Sequence, residues 1–333
     1  MTLAKRLSTL IYDACLHRTP TQDEIADIEA RLSAGGSQID ILESVLKSDE
    51  SRAYRKLLYV RPGHFYSPIV HVPSLKLLSC RRPWDSSIAI NDVDLDFDAM
   101  WTLWQQHLAP LVKATPFSDD GDHIHRYKLN NPNFAGGDGL ILRAMILHAR
   151  PKRIIEVGSG WSSCCILDSV DELGGNVDVT LVEPYPARLQ SLLRPGDENR
   201  LKMLLQPVQS VALATFEALE AGDILFIDST HIIKTESDVV HELTEILPRI
   251  KPGVLIHFHD VFYPFEYPRA WVFDQNRSWN EVYALRAFLA FNDKFRVVFF
   301  NDPFASRFKD KLEHDFPNLV ANSGAGIWIR RVA

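Results

Sequence analysis

Four carboxylates and three imidazoles stand where they could do chemistry. Glu156 sits two residues before the glycine pair of Glu156-Val-Gly158-Ser159-Gly160. Glu183 closes the apolar run that begins at Asp178. Asp228 ends the run from Asp223 and leads into Ser229-Thr230-His231. His257 and His259 flank Phe258, so on a strand they share one face, and Asp260 follows at once. Such a set can move protons near neutral pH, because an imidazole titrates there. Its mixed oxygen and nitrogen donors can also hold a divalent cation. A single histidine in a buried strand is more often a core residue. Three histidines and two aspartates at the ends of adjacent strands point to a functional role.

These side chains need elements to hold them. Arg153 to Cys165 reads as a buried strand, a glycine turn and the start of a helix. Gly158 and Gly160 are expected to take positive φ and to let backbone approach a ligand. The free N–H groups of the following helix face the same place. A dinucleotide fingerprint would want a small packing residue where Ser163 stands, and no carboxylate where Glu156 stands. Glu156 would repel a pyrophosphate and attract an ammonium group. Further strands are expected at 178–183, 202–205, 223–228, 253–260, 295–300 and 326–330, alternating with helices near 138–148 and 279–291. Glu183 has the spacing of the acid that accepts two ribose hydroxyls in a doubly wound nucleotide site. Tyr185 could border an adenine, and Gln209 could contact its edge.

The chain has 333 residues, room for more than one domain. Its hydrophobic share of 46% and charged share of 24% are ordinary for a globular protein. A net charge of -7 argues against a nucleic-acid partner. Cys15, Cys80, Cys164 and Cys165 form no C-x-x-C pair, so neither a zinc knuckle nor a disulfide framework is indicated. The opening MTLAKRLSTLIYDACLHR holds no apolar run long enough for a signal peptide or membrane span, so a cytoplasmic bacterial enzyme is expected.

Residues 1–60 read as a helical domain. Leu3, Leu7, Leu10, Ile11 and Ala14 are expected to fall on one helical face. Thr21 to Glu24 is a capping box before a second, and Ser37 caps a third carrying Ile39, Ile41, Leu42, Val45 and Leu46. Residues 61–135 form a connector or lid, punctuated by Pro62, Pro68, Pro73 and Pro83 with Phe65, Tyr66 and Trp84 between them. Asp92 to Asp98 alternates acid and apolar residues. Position six of a calcium loop would be Phe97 and position twelve Leu103, so calcium is rejected for a short strand running into a helix. Asp122-His123-Ile124-His125 has side chains that could ligate a metal, but it reads first as a polar loop. Tyr127 to Phe134 could cover the site. Residues 136–333 form the catalytic domain.

The segments IIEVGSG, LVEPYP, GDILFIDSTH and KPGVLIHFHDVF, in this order and spacing over Gly139 to Val261, resemble class I S-adenosylmethionine (SAM) dependent methyltransferases, close to the small-molecule O-methyltransferase branch. The resemblance implies an α/β fold with a doubly wound, seven-stranded Rossmann-like sheet behind a small N-terminal all-α domain. It implies that Glu156, Gly158, Ser159 and Gly160 surround the methionine part of SAM, that Glu183 binds the ribose, and that Asp228 stands beside the transferred methyl. Catechol-type relatives hold magnesium at the positions of Asp228, His259 and Asp260. A histidine there departs from their pattern and suits Mn, Fe or Zn as well as Mg. Without a metal, His231 or His259 is the general base, beside Asp228. The stretch from Leu10 to Arg52 resembles a helical domain of unknown function in bacterial proteins tied to surface glycans, which implies a saccharide or other small-molecule hydroxyl as acceptor. A protein partner for these helices and self-association stay open. Two rival readings are a metal-dependent enzyme of other chemistry on this fold and a non-catalytic glycan-assembly module.

Overall fold

The computed structural model describes residues 2–16, 18–56, 59–60, 63–72 and 89–333. Pro62, Pro73, Cys80, Pro83 and Trp84 lie outside the described residues. The chain divides into two compact units, Met1–Leu78 and Ser79–Ala333.

The first unit contains helices Leu3–Leu16, Gln22–Ser33, Gln38–Leu46 and Asp49–Lys56. Thr21 and Glu24 close the expected capping box, and the Ser37 side chain accepts from the Ile39 N–H. Arg18 donates to both Glu24 and Glu50 and so ties the second helix to the fourth. Ala4, Ile11, Leu16, Ile28, Ile41 and Val45 form the core. Leu3, Leu10 and Ile39 do not join it and are 64%, 68% and 67% exposed. The first helix carries two neighbouring apolar rows. The core takes the row of Ala4, Ser8 and Ile11, spaced i, i+4, i+7, and turns Leu3 and Leu10 outward.

In the second unit, the strand expected at Asp92–Asp96 is absent. These aspartates serve as local anchors instead: Asp92 pairs with Arg286, and Asp96 Oδ1 accepts from Ala99 N to cap the helix Phe97–Leu103. The alternation of acid and apolar residues here reflects caps and ion pairs, and among the described residues no strand pairs with it.

The seven strands are β1 (Arg153–Val157), β2 (Asp178–Val182), β3 (Leu201–Leu204), β4 (Ile224–Ile227), β5 (Leu255–His259), β6 (Phe295–Phe300) and β7 (Gly326–Arg331). They form one sheet in the order β3-β2-β1-β4-β5-β7-β6. β1 to β5 run parallel, and β7 lies antiparallel between β5 and β6. Central strands covered by helices on both faces must be apolar throughout, and β4 and β5 are buried at every position. The fold is therefore the doubly wound, seven-stranded Rossmann-like sheet, with helices ahead of it. From β1 the chain winds outward to β3, then returns to β4 and winds the other way. That reversal opens a crevice at the carboxyl ends of β1 and β4, the usual ligand position of such sheets.

Candidate active site

Glycine makes the turn after β1 possible. Gly158 has φ 81°, and a Cβ there would lie 1.8 Å from the Asp228 carbonyl oxygen. The turn is thus pressed against the end of β4, where Asp228 N donates to Val157 O at 2.9 Å. Gly160 departs from expectation: its φ of 169° is extended backbone that any residue adopts. Only Gly158 needs the left-handed region, because a single reversal is enough to aim the helix Trp161–Glu172 at the sheet.

Glu183 stands just past β2 and braces the turn. Its Oε2 accepts from Ser159 N at 3.0 Å, and its Oε1 accepts from Tyr185 N at 2.7 Å. Glu183, Tyr185 and Gln209 line a cavity of about 360 Å³ together with Gly158 and Asp228. Gln209 also donates from Nε2 to Glu236 O at 2.6 Å. Glu156 is not brought into this cavity. It is fully buried, and its two oxygens accept from Ser162 Oγ and Ser163 Oγ, each at 2.5 Å. Burial pushes its carboxyl up to about 8 against those two hydroxyls. Ser163 Oγ in turn accepts from Gly160 N, so Glu156 fastens the glycine turn to the helix start.

A second cavity, of about 520 Å³, shares Gly158, Glu183 and Asp228 with the first. His231, His259, Asp260, Trp271, Arg277 and Trp279 also line it. The sheet register explains the convergence. Ile227 pairs with Phe258, so the next residues outward, Asp228 and His259, stand side by side. Asp228, His259 and Asp260 each place one ligand atom within 4.8 Å of the others. His259 Nδ1 lies 3.3 Å from Asp228 Oδ1 and 3.7 Å from Asp260 Oδ1. His231 Nε2 lies 3.4 Å from Asp228 Oδ1 and 3.5 Å from Asp260 Oδ2. His231 and Asp260 both have left-handed backbones, φ 60° and 55°, a strain that proteins keep mainly at functional sites.

Electrostatics follow from these contacts. Burial would raise Asp228, but His259 and His231 hold its carboxyl far below the usual range. Burial would lower His231, but bonds to Asp228 and Glu281 raise it to about 10. His259 is likewise raised by Asp228, Asp260 and Asp138, against its burial. Burial raises Asp260 against the pull of both rings.

His257 stays out of the site. Its ring lies between Phe226 and Trp328, with ring centroids 4.4 and 4.7 Å away, and burial keeps it well below the ordinary histidine value. Asp122 and His125 bond to each other at 2.8 Å in a surface turn. Tyr127 and Phe134 are core residues, and of the segment between them Pro132 and Asn133 reach the second cavity. Sequence reasoning missed Asp138 and Glu281, which back the two histidines. Glu281 is fifty positions from His231, and no local pattern links them.

The switch-point crevice of this doubly wound sheet holds the glycine turn and the Glu183 carboxylate, where such sheets usually bind ligands. Residues 155–261 match the family model described as a methyltransferase domain. An uncharacterised protein of Archaeoglobus fulgidus is 33% identical over 171 residues, spanning 49% of this chain and 75% of that protein. Among solved structures, similarity extends to a methyltransferase of Podospora anserina bound to S-adenosylhomocysteine (15% identity, 83% of this chain and 100% of that one, TM-score 0.41). It also extends to the O-methyltransferase TomG of Streptomyces achromogenes in complex with SAM (15% identity, 75% and 95%, TM-score 0.40). These structural likenesses are distant. Residues 155–261 therefore form a methyltransferase domain, and by that match the chain is a methyltransferase. Among the described residues, no helix is long and apolar enough to cross a membrane.

Proposed function

We propose that this enzyme transfers the methyl group of SAM to a hydroxyl oxygen of a small molecule, a saccharide in the first instance. The observation that carries the reading is the meeting of two cavities at Glu183 and Asp228. The first is of a size that suits a cofactor. In it Glu183 takes the ribose hydroxyls and Tyr185 and Gln209 border the adenine, while the turn Gly158-Ser159-Gly160, whose Gly158 lines both cavities and Ser159 the second, carries the methionine end. Glu156 serves this end indirectly, by holding Ser162 and Ser163 under the turn. Asp228 then stands at the junction, beside the methyl.

The second cavity takes the acceptor. Trp271 and Trp279 stand nearly perpendicular, with centroids 5.5 Å apart, and the Arg277 guanidinium lies over both rings. Such faces suit the apolar side of a sugar ring or an aromatic ring. Asp228, His259 and Asp260 suit a divalent ion. His259 is 4% exposed, yet neither ring nitrogen makes a hydrogen bond of good geometry. A buried polar atom left so needs a partner. A bound ion would supply Lewis acidity to the acceptor hydroxyl. The protein's own task is to align acceptor oxygen and methyl in line and to exclude water.

Calorimetric titration of the purified chain with SAM and S-adenosylhomocysteine, with metal assayed on the same sample, tests this reading. Micromolar binding is expected, followed by transfer of labelled methyl to nucleotide sugars or oligosaccharides. Absence of SAM binding would remove the proposal.

A further inference from the structure

We propose that the acceptor carries an anionic group, a carboxylate or a phosphate, and that Arg277 is the residue that selects it. This inference rests on the reading of the second cavity as the acceptor site.

Elsewhere in this unit, inner arginines are engaged by acids. Arg126 donates to Asp197 at 2.7 Å, Arg143 to Glu172 at 2.8 Å and Arg286 to Asp92 at 2.7 Å. Arg277 is held differently. Its guanidinium carbon stands 4.0 Å from the ring centroid of Trp271 and 4.7 Å from that of Trp279. Among the described residues, no carboxylate lies within ion-pair distance of it and no oxygen accepts from its side chain. A cation over a ring gains from the ring's quadrupole, but the ring supplies no oxygen to the N–H fork. Arg277 and both tryptophans line the second cavity. The fork's donors are thus available there, in the planar geometry that matches a carboxylate or a phosphate.

The backbone fixes this cation in advance. Arg277 N donates to Trp271 O at 2.9 Å. The preceding Asn276 has φ 53°, a left-handed conformation that asparagine tolerates better than most residues. A donor held before binding loses little freedom when its anion arrives.

The other charges lining this cavity are occupied. Glu183 accepts from Ser159 N and Tyr185 N. Asp228, His259 and Asp260 form the candidate ion cluster. His231 Nδ1 bonds to Glu281 at 2.8 Å. Arg188 lies beside the glycine turn, its Cδ 3.3 Å from where a Cβ on Gly160 would stand. It is the cation available to the carboxylate of the methionine end of SAM. Arg277 is left for the acceptor, whose hydroxyl belongs at the Asp228 end of the same cavity. An acceptor held at both ends is oriented as well as bound.

The test uses the full chain loaded with S-adenosylhomocysteine and titrated calorimetrically with compounds that share a skeleton and differ in charge. The sets are glucose against glucuronate and glucose 6-phosphate, and catechol against protocatechuate. Transfer of labelled methyl from SAM to the same compounds is read in parallel. In at least one set the anionic member should bind at least ~10-fold more tightly than the neutral one, the scale of a charge-assisted hydrogen bond. The comparison of glucuronate with glucose 6-phosphate decides between carboxylate and phosphate. Arg277→Gln should erase the preference, through KM where turnover is seen, with SAM affinity unchanged. Arg277→Lys, which keeps the charge without the fork, should restore part of it. No anion preference in a wild type that still binds SAM would overturn the proposal and leave the methyltransferase assignment standing. A preference that survives Arg277→Gln would also overturn it, because the anion then sits on another cation. So would loss of SAM affinity in both variants, which marks a packing role between the two tryptophans. A wild type that binds no SAM would instead remove the reading on which the inference rests.

Discussion

Gly158→Ala and Gly160→Ala should behave oppositely, although both glycines belong to one short turn. At Gly158 the new Cβ would meet the Asp228 carbonyl oxygen at 1.8 Å and the carbonyl carbon at 2.8 Å, and φ is 81°. Both obstacles are backbone, so no side chain can swing aside. The left-handed backbone costs an L-residue about 1–2 kcal/mol. Forcing the end of β4 away adds about 1–3 kcal/mol of overpacking. A loss of roughly 2–5 kcal/mol should lower the Tm of a unit this size by roughly 5–15 °C. The movement falls on Asp228, so surviving protein should also bind SAM at least ~10²-fold more weakly. At Gly160 the backbone is extended, and the nearest atom is the flexible Arg188 Cδ at 3.3 Å. That variant should change stability by less than about 0.5 kcal/mol. Thermal unfolding and SAM calorimetry on both variants are the assay. Equal effects, or a harmless Gly158→Ala, would refute the packing argument.

Glu183→Ala should lose two charge-assisted ribose bonds of about 1.5–3 kcal/mol each, weakening SAM by roughly 10²-fold or more in a calorimeter. Unchanged affinity would remove the ribose assignment. Glu156 is held up to about 8 by burial, above its unfolded value of 4.5, so the folded state carries the extra proton between those values. Stability of the ligand-free protein should therefore fall as pH rises from about 5 to 8. Glu156→Gln, always neutral, should flatten that part of the Tm–pH profile; identical slopes in the two proteins would contradict the assignment. In the N-terminal unit Glu24 is held down to about 2, chiefly by Arg18. Its contribution should be complete above about 4.5 and lost as pH falls through about 2. Hydrogen exchange of the helix Gln22–Ser33 should lose this acid sensitivity in Glu24→Gln, with about 1 kcal/mol less protection at neutral pH.

The sheet was legible because a buried parallel strand announces itself. Runs such as Asp223 to Asp228 and Gly253 to Asp260 are apolar, short and end in polar residues. The capping box at Thr21 was equally plain, since its partners lie three residues apart. The face of the first helix was not. Two apolar rows satisfy the same period, and the neighbouring helices choose between them.

The candidate site divides along the same line. Sequence alone determined the residue types at the strand ends, the turn at Gly158 and the order of the strand-end segments, because those depend on neighbours in the chain. Tertiary structure decided which histidine of β5 reaches the aspartates. His257 and His259 share a strand face, but the ring of His257 packs between Phe226 and Trp328 while that of His259 reaches the two aspartates. It also turned Glu156 from an expected ligand into an internal fastener, by setting two serines of the next helix against its oxygens. Glu281 and Asp138 join the histidines from elements far along the chain. Contacts of that range are set when the sheet and its helices pack, and no local spacing encodes them.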